Sequence, residues 1–81
     1  MKVRLLLFAV LRDLAGTAER ELAVADGTTA RHVWEELRSG DPRLAAYVQP
    51  PLIAINEEYA DADQLLREGD ELAFIPPVAG G

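Results

Sequence analysis

The group best suited to chemistry in this chain is the carboxylate expected at Gly81, the last residue of the sequence. The chain contains no cysteine, so it has no thiol nucleophile and no thiolate metal site. It also lacks a recognisable Ser/His/Asp set, metal-ligand cluster or phosphate-binding loop, which argues against an enzyme that works alone. We therefore expect no metal and no bound cofactor, and any group that the chain carries would be attached at Gly81. An ordinary frayed terminus would have the same composition.

The segment before Gly81 is suited to leaving a folded domain. Proline lacks an N–H and fixes φ, so two successive prolines stop sheet pairing and stiffen the exit of the chain. Beyond Val78 no side chain is larger than a methyl group, and glycine can pass through a narrow channel. The sequence thus predicts a domain over residues 1–75 and a flexible tail over residues 76–81. The residues expected to thread into a partner are Pro76, Pro77, Val78, Ala79 and Gly80.

Composition limits the possible partners and locations. With 81 residues, the chain is long enough for one small domain. Its net charge of -6 argues against binding nucleic acid or an anionic membrane, because both require clustered Lys and Arg. A basic protein partner would suit it better. The apolar run from Leu5 to Leu11 is too short for a signal peptide or a membrane span, so the cytoplasm is the expected location.

The apolar residues from Val3 to Leu11 predict a first strand. Lys2 and Arg4 mark the even positions as facing solvent, because side chains alternate along a strand. The residues expected in the core are Val3, Leu5, Leu7 and Ala9, and those expected on the outer face are Leu6, Phe8 and Val10. We expect a turn over residues 12–17, where glycine permits positive φ.

The remaining elements follow from periodicity and capping signals. The helix signal is the stripe Ala30, Val33, Trp34 and Leu37, preceded by a threonine N-cap and ended by Gly40. Strands are expected over residues 19–24, 52–55, 59–60 and 71–75, and short helical turns over 43–48 and 61–66. This order predicts an α+β domain in which one mixed sheet wraps around one main helix.

Pairing of the first and last strands at the centre of the sheet would place Phe8 and Ile75 on the same outer face. Scattered exposed apolar side chains are common, but two on one face beside a protruding tail favour a partner interface.

Four stretches of the sequence form a specific combination. They are Leu6-Leu7-Phe8-Ala9 with Arg12-Asp13-Leu14-Ala15-Gly16, then Leu52-Ile53-Ala54-Ile55-Asn56, then Glu68-Gly69-Asp70-Glu71-Leu72-Ala73-Phe74, and finally Pro76-Pro77-Val78-Ala79-Gly80-Gly81. Over its whole length the chain resembles the family of sulfur-carrier small subunits of molybdopterin synthase. A final Gly-Gly alone would be a weak signal, whereas its combination with a Gly-Asp-Glu turn and Pro-Pro-Val is specific.

This resemblance implies a β-grasp, ubiquitin-like fold and a carrier role. It implies that a ubiquitin-activating-like adenylyltransferase adenylates Gly81 with MgATP, and that sulfur from a sulfurtransferase converts it to a thiocarboxylate, 1-thioglycine. The tail would then enter the large synthase subunit, which would hold the catalytic residues and pass the sulfur to cyclic pyranopterin monophosphate in molybdenum cofactor biosynthesis. A heterotetramer of two small and two large subunits is implied. The family's interface patch corresponds to Phe8, Tyr59 and Ile75.

Other functions fit the same sequence features. One is a related ubiquitin-like carrier for thiamine, tRNA or amino-acid sulfur chemistry, although the two prolines before the tail and the chain length favour the synthase subunit. Another is a ubiquitin-like protein modifier or a plain interaction module. Covalent attachment to a target lysine would discriminate between these possibilities.

Overall fold

The computed structural model describes residues 1–77, which form one mixed sheet with a helix packed across its inner face. The elements are β1 (Lys2–Leu7), α1 (Ala9–Ala15), β2 (Glu19–Ala23), α2 (Ala30–Gly40), α3 (Pro42–Ala45), β3 (Leu52–Ile55), β4 (Glu58–Tyr59) and β5 (Glu71–Ile75). The sheet has five strands in the order β2-β1-β5-β3-β4. The predicted α+β architecture is therefore confirmed.

The first and last strands lie side by side at the centre of the sheet. β1 pairs in parallel with β5, with Leu5 opposite Leu72, and β2 and β3 pair antiparallel with β1 and β5 respectively. A parallel pair needs a long crossover connection, and the chain between these strands supplies α2 and the rest of the sheet. The first and last strands are thus flanked by β2 on one side and by β3 and β4 on the other.

Helix α2 begins at a capping box. The Thr29 hydroxyl accepts a hydrogen bond from the His32 N–H at 3.2 Å, and His32 Nδ1 accepts one from the Thr29 N–H at 3.3 Å. The predicted stripe Ala30, Val33, Trp34 and Leu37 is buried. The ring centroids of Trp34 and Phe74 are 5.1 Å apart, so α2 packs directly on the central strand β5.

The expected first strand was too long. β1 ends at Leu7, Phe8 has extended backbone, and Ala9 has φ of 51°, which turns the chain into α1. Ala9 and Val10 are therefore exposed residues of a helix rather than alternating strand positions, while Leu11 is fully buried. The turn expected over residues 12–17 is instead mostly the end of α1, with Gly16 at its C-cap at φ 76°.

Two smaller expectations also need correction. The segment 61–66 is not a helical turn: the Gln64 N–H bonds to the Asp61 carbonyl in a tight turn, and Leu65 forms a β-bridge with Thr29. Gly40 is the last residue of α2 rather than the residue after it, because Asp41 caps both that end and the start of α3. Within residues 1–77, no helix is both long and apolar enough to cross a membrane.

Candidate partner-binding groove

A shallow groove of about 350 Å³ lies on the outer face of the sheet along β5, from Glu71 at the start of that strand to Ile75 at its end. Its walls are Leu6, Phe8, Ala54, Glu57, Tyr59, Glu71, Ala73 and Ile75. These residues come from four strands and from the two connections that follow β1 and β3. They are far apart in sequence, so only the sheet brings them together.

Strand register explains the shape of the groove. Leu6 of β1 lies opposite Ala73 of β5, Ala73 opposite Ala54 of β3, and Ala54 opposite Tyr59 of β4. Directly opposed residues project to the same face of a sheet. Two small alanines therefore lie between the larger Leu6 and Tyr59, and the row is lowest at its centre.

The three residues predicted as the partner interface all line this groove. Phe8 is 45% exposed and Tyr59 76% exposed, and Ile75 is half-buried. Beside Ile75, Leu52 of β3 adds a further exposed apolar side chain. Clustered exposed apolar residues of this kind are typical of protein interaction sites. The structure thus brings Phe8, Tyr59 and Ile75 together, and their contact with a partner stays a prediction.

The outer face is charged along β2 and at the start of β1 and β5. The Arg4 guanidinium lies 2.7 Å from the Glu19 carboxylate and 3.9 Å from the Glu71 carboxylate. Lys2 Nζ lies 3.6 Å from the Glu21 carboxylate. These pairs are largely exposed, so each contributes little to stability. They make the outer face polar beside β2, whereas Phe8 and Ile75, next to the end of β5, are apolar.

The hairpin between β3 and β4 holds one wall of the groove. Its turn residues Asn56 and Glu57 have φ of 52° and 71°, as a two-residue type I′ turn requires. The Asn56 side chain donates a hydrogen bond to buried Asp70 at 2.9 Å and accepts one from the Glu71 N–H at 2.9 Å. Asp70 also accepts from the Arg67 N–H at 2.8 Å. The turn is thereby tied to the start of β5.

Sequence reasoning missed Glu57 as a groove residue. Its signal was its place immediately after Asn56 between two short strands, which identifies a two-residue turn. Only the pairing of β4 with β3 shows that this turn stands beside the apolar patch.

The predicted tail is described only at its start. Pro76 and Pro77 follow the end of β5, have no regular secondary structure and are half-buried. The predictions for Val78, Ala79, Gly80 and Gly81 lie outside the described residues. In the described part of the chain, no three His, Asp or Glu side chains converge as metal ligands would.

The fold and the groove define the class of this protein. A mixed sheet with parallel terminal strands at its centre and one long helix across it is the ubiquitin-like β-grasp fold. The crystal structure of SAMP1 from Haloferax volcanii has this fold: it superposes with a TM-score of 0.84 at 28% identity, and 100% of each chain is covered.

The family follows from the sequence match. The ThiS family profile matches residues 5–81, and the chain belongs to this family. It is 37% identical over 82 residues to the molybdopterin synthase sulfur carrier subunit of Mycobacterium tuberculosis, covering 100% of this chain and 99% of the relative. It is 36% identical over 81 residues to the protein of the same name in Escherichia coli, covering 98% of this chain and 99% of the relative.

Proposed function

We propose that this chain is the sulfur-carrier subunit of molybdopterin synthase and that the carboxylate of Gly81 carries the sulfur. The observation that carries the proposal is the full-length similarity to relatives of that name, which extends through the final glycines. The groove supports it, because two of its apolar residues, Phe8 and Ile75, lie where β5 leads toward those glycines.

The chemistry begins with activation of a poor acyl donor. A ubiquitin-activating-like adenylyltransferase uses MgATP to join a Gly81 carboxylate oxygen to the α-phosphate, and pyrophosphate leaves. A sulfide equivalent supplied by a sulfurtransferase then attacks the acyl carbon, and AMP leaves with its electron pair. The product is a thiocarboxylate, 1-thioglycine, whose sulfur is a nucleophile. No cysteine of this chain competes for that role.

The second stage takes place on the large subunit of the synthase. Phe8, Tyr59 and Ile75 pack against that subunit, and the tail enters its active site, where cyclic pyranopterin monophosphate receives the sulfur. The six residues from Pro76 to Gly81 span about 20 Å when extended, which is enough to reach a buried site from a docked domain. The catalytic residues belong to the large subunit, in a heterotetramer of two small and two large subunits in the cytoplasm.

The test is the intact mass of the chain after incubation with adenylyltransferase, MgATP and a sulfur donor. We expect one oxygen to be replaced by sulfur, and the fragment ions to place the sulfur at Gly81. The chain that lacks Gly81 should acquire no sulfur in the same time. Misplacement of a reacting group by about 1 Å can lower the reaction rate about a hundredfold. Thiocarboxylation and pterin conversion at the normal rate by this deletion would overturn the proposal.

A second variant separates passage of the tail from its chemistry. Gly80→Val should obstruct a narrow channel while leaving the fold unchanged, because residue 80 follows the last strand. We expect slower pterin conversion and an unchanged circular dichroism spectrum.

A second candidate function is protein modification. It is favoured by the similarity to the Haloferax volcanii protein, which is called a small archaeal modifier protein in a second structure with a TM-score of 0.83 and 27% identity. Incubation with adenylyltransferase and MgATP in a lysate would then produce isopeptide bonds between Gly81 and lysines of other proteins. Lys2 is the only lysine in this chain, so an isopeptide bond to another copy of the chain could form only there.

A further inference from the structure

Glu57 occupies a position that favours a different residue. In the β3–β4 turn it has φ of 71°, a left-handed conformation in which glycine is the preferred residue at the second central position. Asn56, at the first position, belongs to a residue type that tolerates this conformation. A glutamate has no such tolerance, so the turn keeps Glu57 at a cost in stability.

The strained positions lie beside the groove. In residues 1–77, the non-glycine residues with positive φ are Ala9, Asn56 and Glu57. Ala9 directly follows Phe8, and Glu57 itself lines the groove. Backbone strain of this kind persists where surrounding structure enforces it, and it is concentrated at functional sites. The position of Glu57 therefore indicates a role for its side chain.

The carboxylate of Glu57 also differs from the other carboxylate in the groove, because it has no positively charged partner within residues 1–77. Two carboxylates line the groove, Glu57 and Glu71. Glu71 lies 3.9 Å from Arg4, so its charge is partly balanced within the chain. Across the described part of the chain, Glu57 takes part in no ion pair and no side-chain hydrogen bond. It is exposed and presents an unbalanced negative charge at the wall of an apolar groove.

We propose that the Glu57 carboxylate selects the partner by pairing with an arginine or lysine that the partner brings to the rim of the groove. This inference rests on the proposed function, since it takes the large synthase subunit as the occupant. Apolar contacts from Phe8, Tyr59 and Ile75 supply most of the affinity. The charge pair fixes orientation and disfavours partners with an acidic rim, as charges at interfaces do.

The experiment compares three variants in binding to the large subunit from the same organism. Glu57→Gly removes both the charge and the strain, and Glu57→Gln removes only the charge. Glu58→Gln is the matched control, because Glu58 is also exposed and without an ion pair in residues 1–77 but lines a separate hollow beside Ile55 and Leu65. Binding is measured by titration calorimetry at low and high salt, and Tm by thermal unfolding.

The two Glu57 variants should separate stability from binding. Glu57→Gly should raise Tm by about 2–6 °C, because relief of the left-handed strain exceeds the entropic cost of glycine. Glu57→Gln should leave Tm nearly unchanged. Both should weaken binding about tenfold at low salt, with a smaller difference at high salt, as expected for a screened charge pair. Glu58→Gln should bind like the unmodified chain.

The possible failures are distinguishable. If both Glu57 variants bind as tightly as the unmodified chain, or if only Glu57→Gly binds weakly, the charge pair is wrong while the proposed function stands. If the unmodified chain itself does not bind the large subunit, the proposed function fails, and the pairing fails with it.

Discussion

The two faces of the central strands carry similar side chains in different surroundings. On the inner face, Leu5, Leu72 and Phe74 are completely buried in the core that α2 completes. On the outer face of the same strands, Leu6 and Ile75 are only half-buried and line an open groove. Alternation along a strand usually gives one apolar and one polar face. Here both faces are apolar at the end where the tail leaves.

This difference shows how one sheet can serve two purposes. The inner apolar surface is removed from water when the chain folds, so its contribution to stability is already realised in the isolated domain. The outer surface can give the same kind of stabilisation only when another protein covers it. The inner face should therefore govern folding and the outer face should govern binding.

The largest effect should follow truncation of the inner face. Phe74→Ala should lower the free energy of unfolding by about 3–5 kcal/mol, because it removes a fully buried ring that packs on Trp34. A domain of this size has a total of roughly 4–12 kcal/mol, so this loss is a large fraction of the total, and at the lower end of that range the variant would be largely unfolded. Urea denaturation measures the loss. The neighbouring outer-face variant Ile75→Ala should cost about 1 kcal/mol or less, and equal losses would break the comparison.

Charges placed in the outer groove should have the converse effect. Replacing Phe8 and Ile75 together by aspartate should weaken binding to a large synthase subunit by about 2–4 kcal/mol, because the carboxylates would be buried without partners. Circular dichroism should be unchanged. Val48→Asp is a suitable control, because Val48 is 81% exposed and lies outside the groove. Undiminished binding of the double variant would show that the groove is not the contact surface.

An intermediate effect is expected at Asp70, which is buried in the domain and holds the turn beside the outer groove. Asp70→Ala should cost about 1–3 kcal/mol, because the Asn56 amide and the Arg67 N–H would lose their acceptor. The variant should also weaken binding, since the turn that Asp70 holds carries Glu57. Asp61→Ala removes an exposed carboxylate and should do neither. Chemical denaturation and calorimetry on the same samples would show whether both properties decline together.

The smallest effect is expected at an ion pair on neither face. Arg31 Nε donates a hydrogen bond to the Asp63 carboxylate at 2.8 Å, and this bond together with the Arg31 charge lowers the pKa of Asp63. A lowered pKa in the folded state adds stability above the unfolded pKa, and that stability is lost as pH falls through the folded value. In Arg31→Gln, carbon-detected NMR titration should show the Asp63 pKa closer to its ordinary value. Both groups are exposed, so stability at neutral pH should hardly change.

The sequence correctly predicted which residues of the two central strands face the core. Val3, Leu5 and Leu7 are buried as expected, and Leu72 and Phe74 likewise. The prediction failed after Leu7 because the apolar run continues unbroken into α1, and an apolar run alone does not distinguish a strand from the start of a helix. The reversal at Ala9 has no glycine or proline to mark it, and α1 has no side-chain N-cap.

The error over residues 61–66 has a different cause. This segment gives its backbone hydrogen bonds to the start of α2: the Ala62 carbonyl accepts from the Arg31 N–H at 2.8 Å, and the Leu66 N–H donates to the Thr28 carbonyl at 2.9 Å. Such tertiary bonds override a weak local helix preference. The shared outer face of Phe8 and Ile75 was predicted better, because alternation places both residues on one face once the terminal strands are paired. The position of Glu57 beside the groove could not be predicted in the same way, because it depends on the register of the β3–β4 hairpin within the sheet.

The parallel pairing of β1 with β5 has a consequence for folding during synthesis on the ribosome. β5 is the central strand, yet it is the last of the five strands in residues 1–77 to be synthesised. Leu5 and Leu7 therefore have no neighbour on that side until β5 has been made. Contacts between distant parts of a chain also form slowly. The domain should therefore assemble only after nearly all of it has been synthesised, and a chain that stops before Glu71 should be degraded or aggregate.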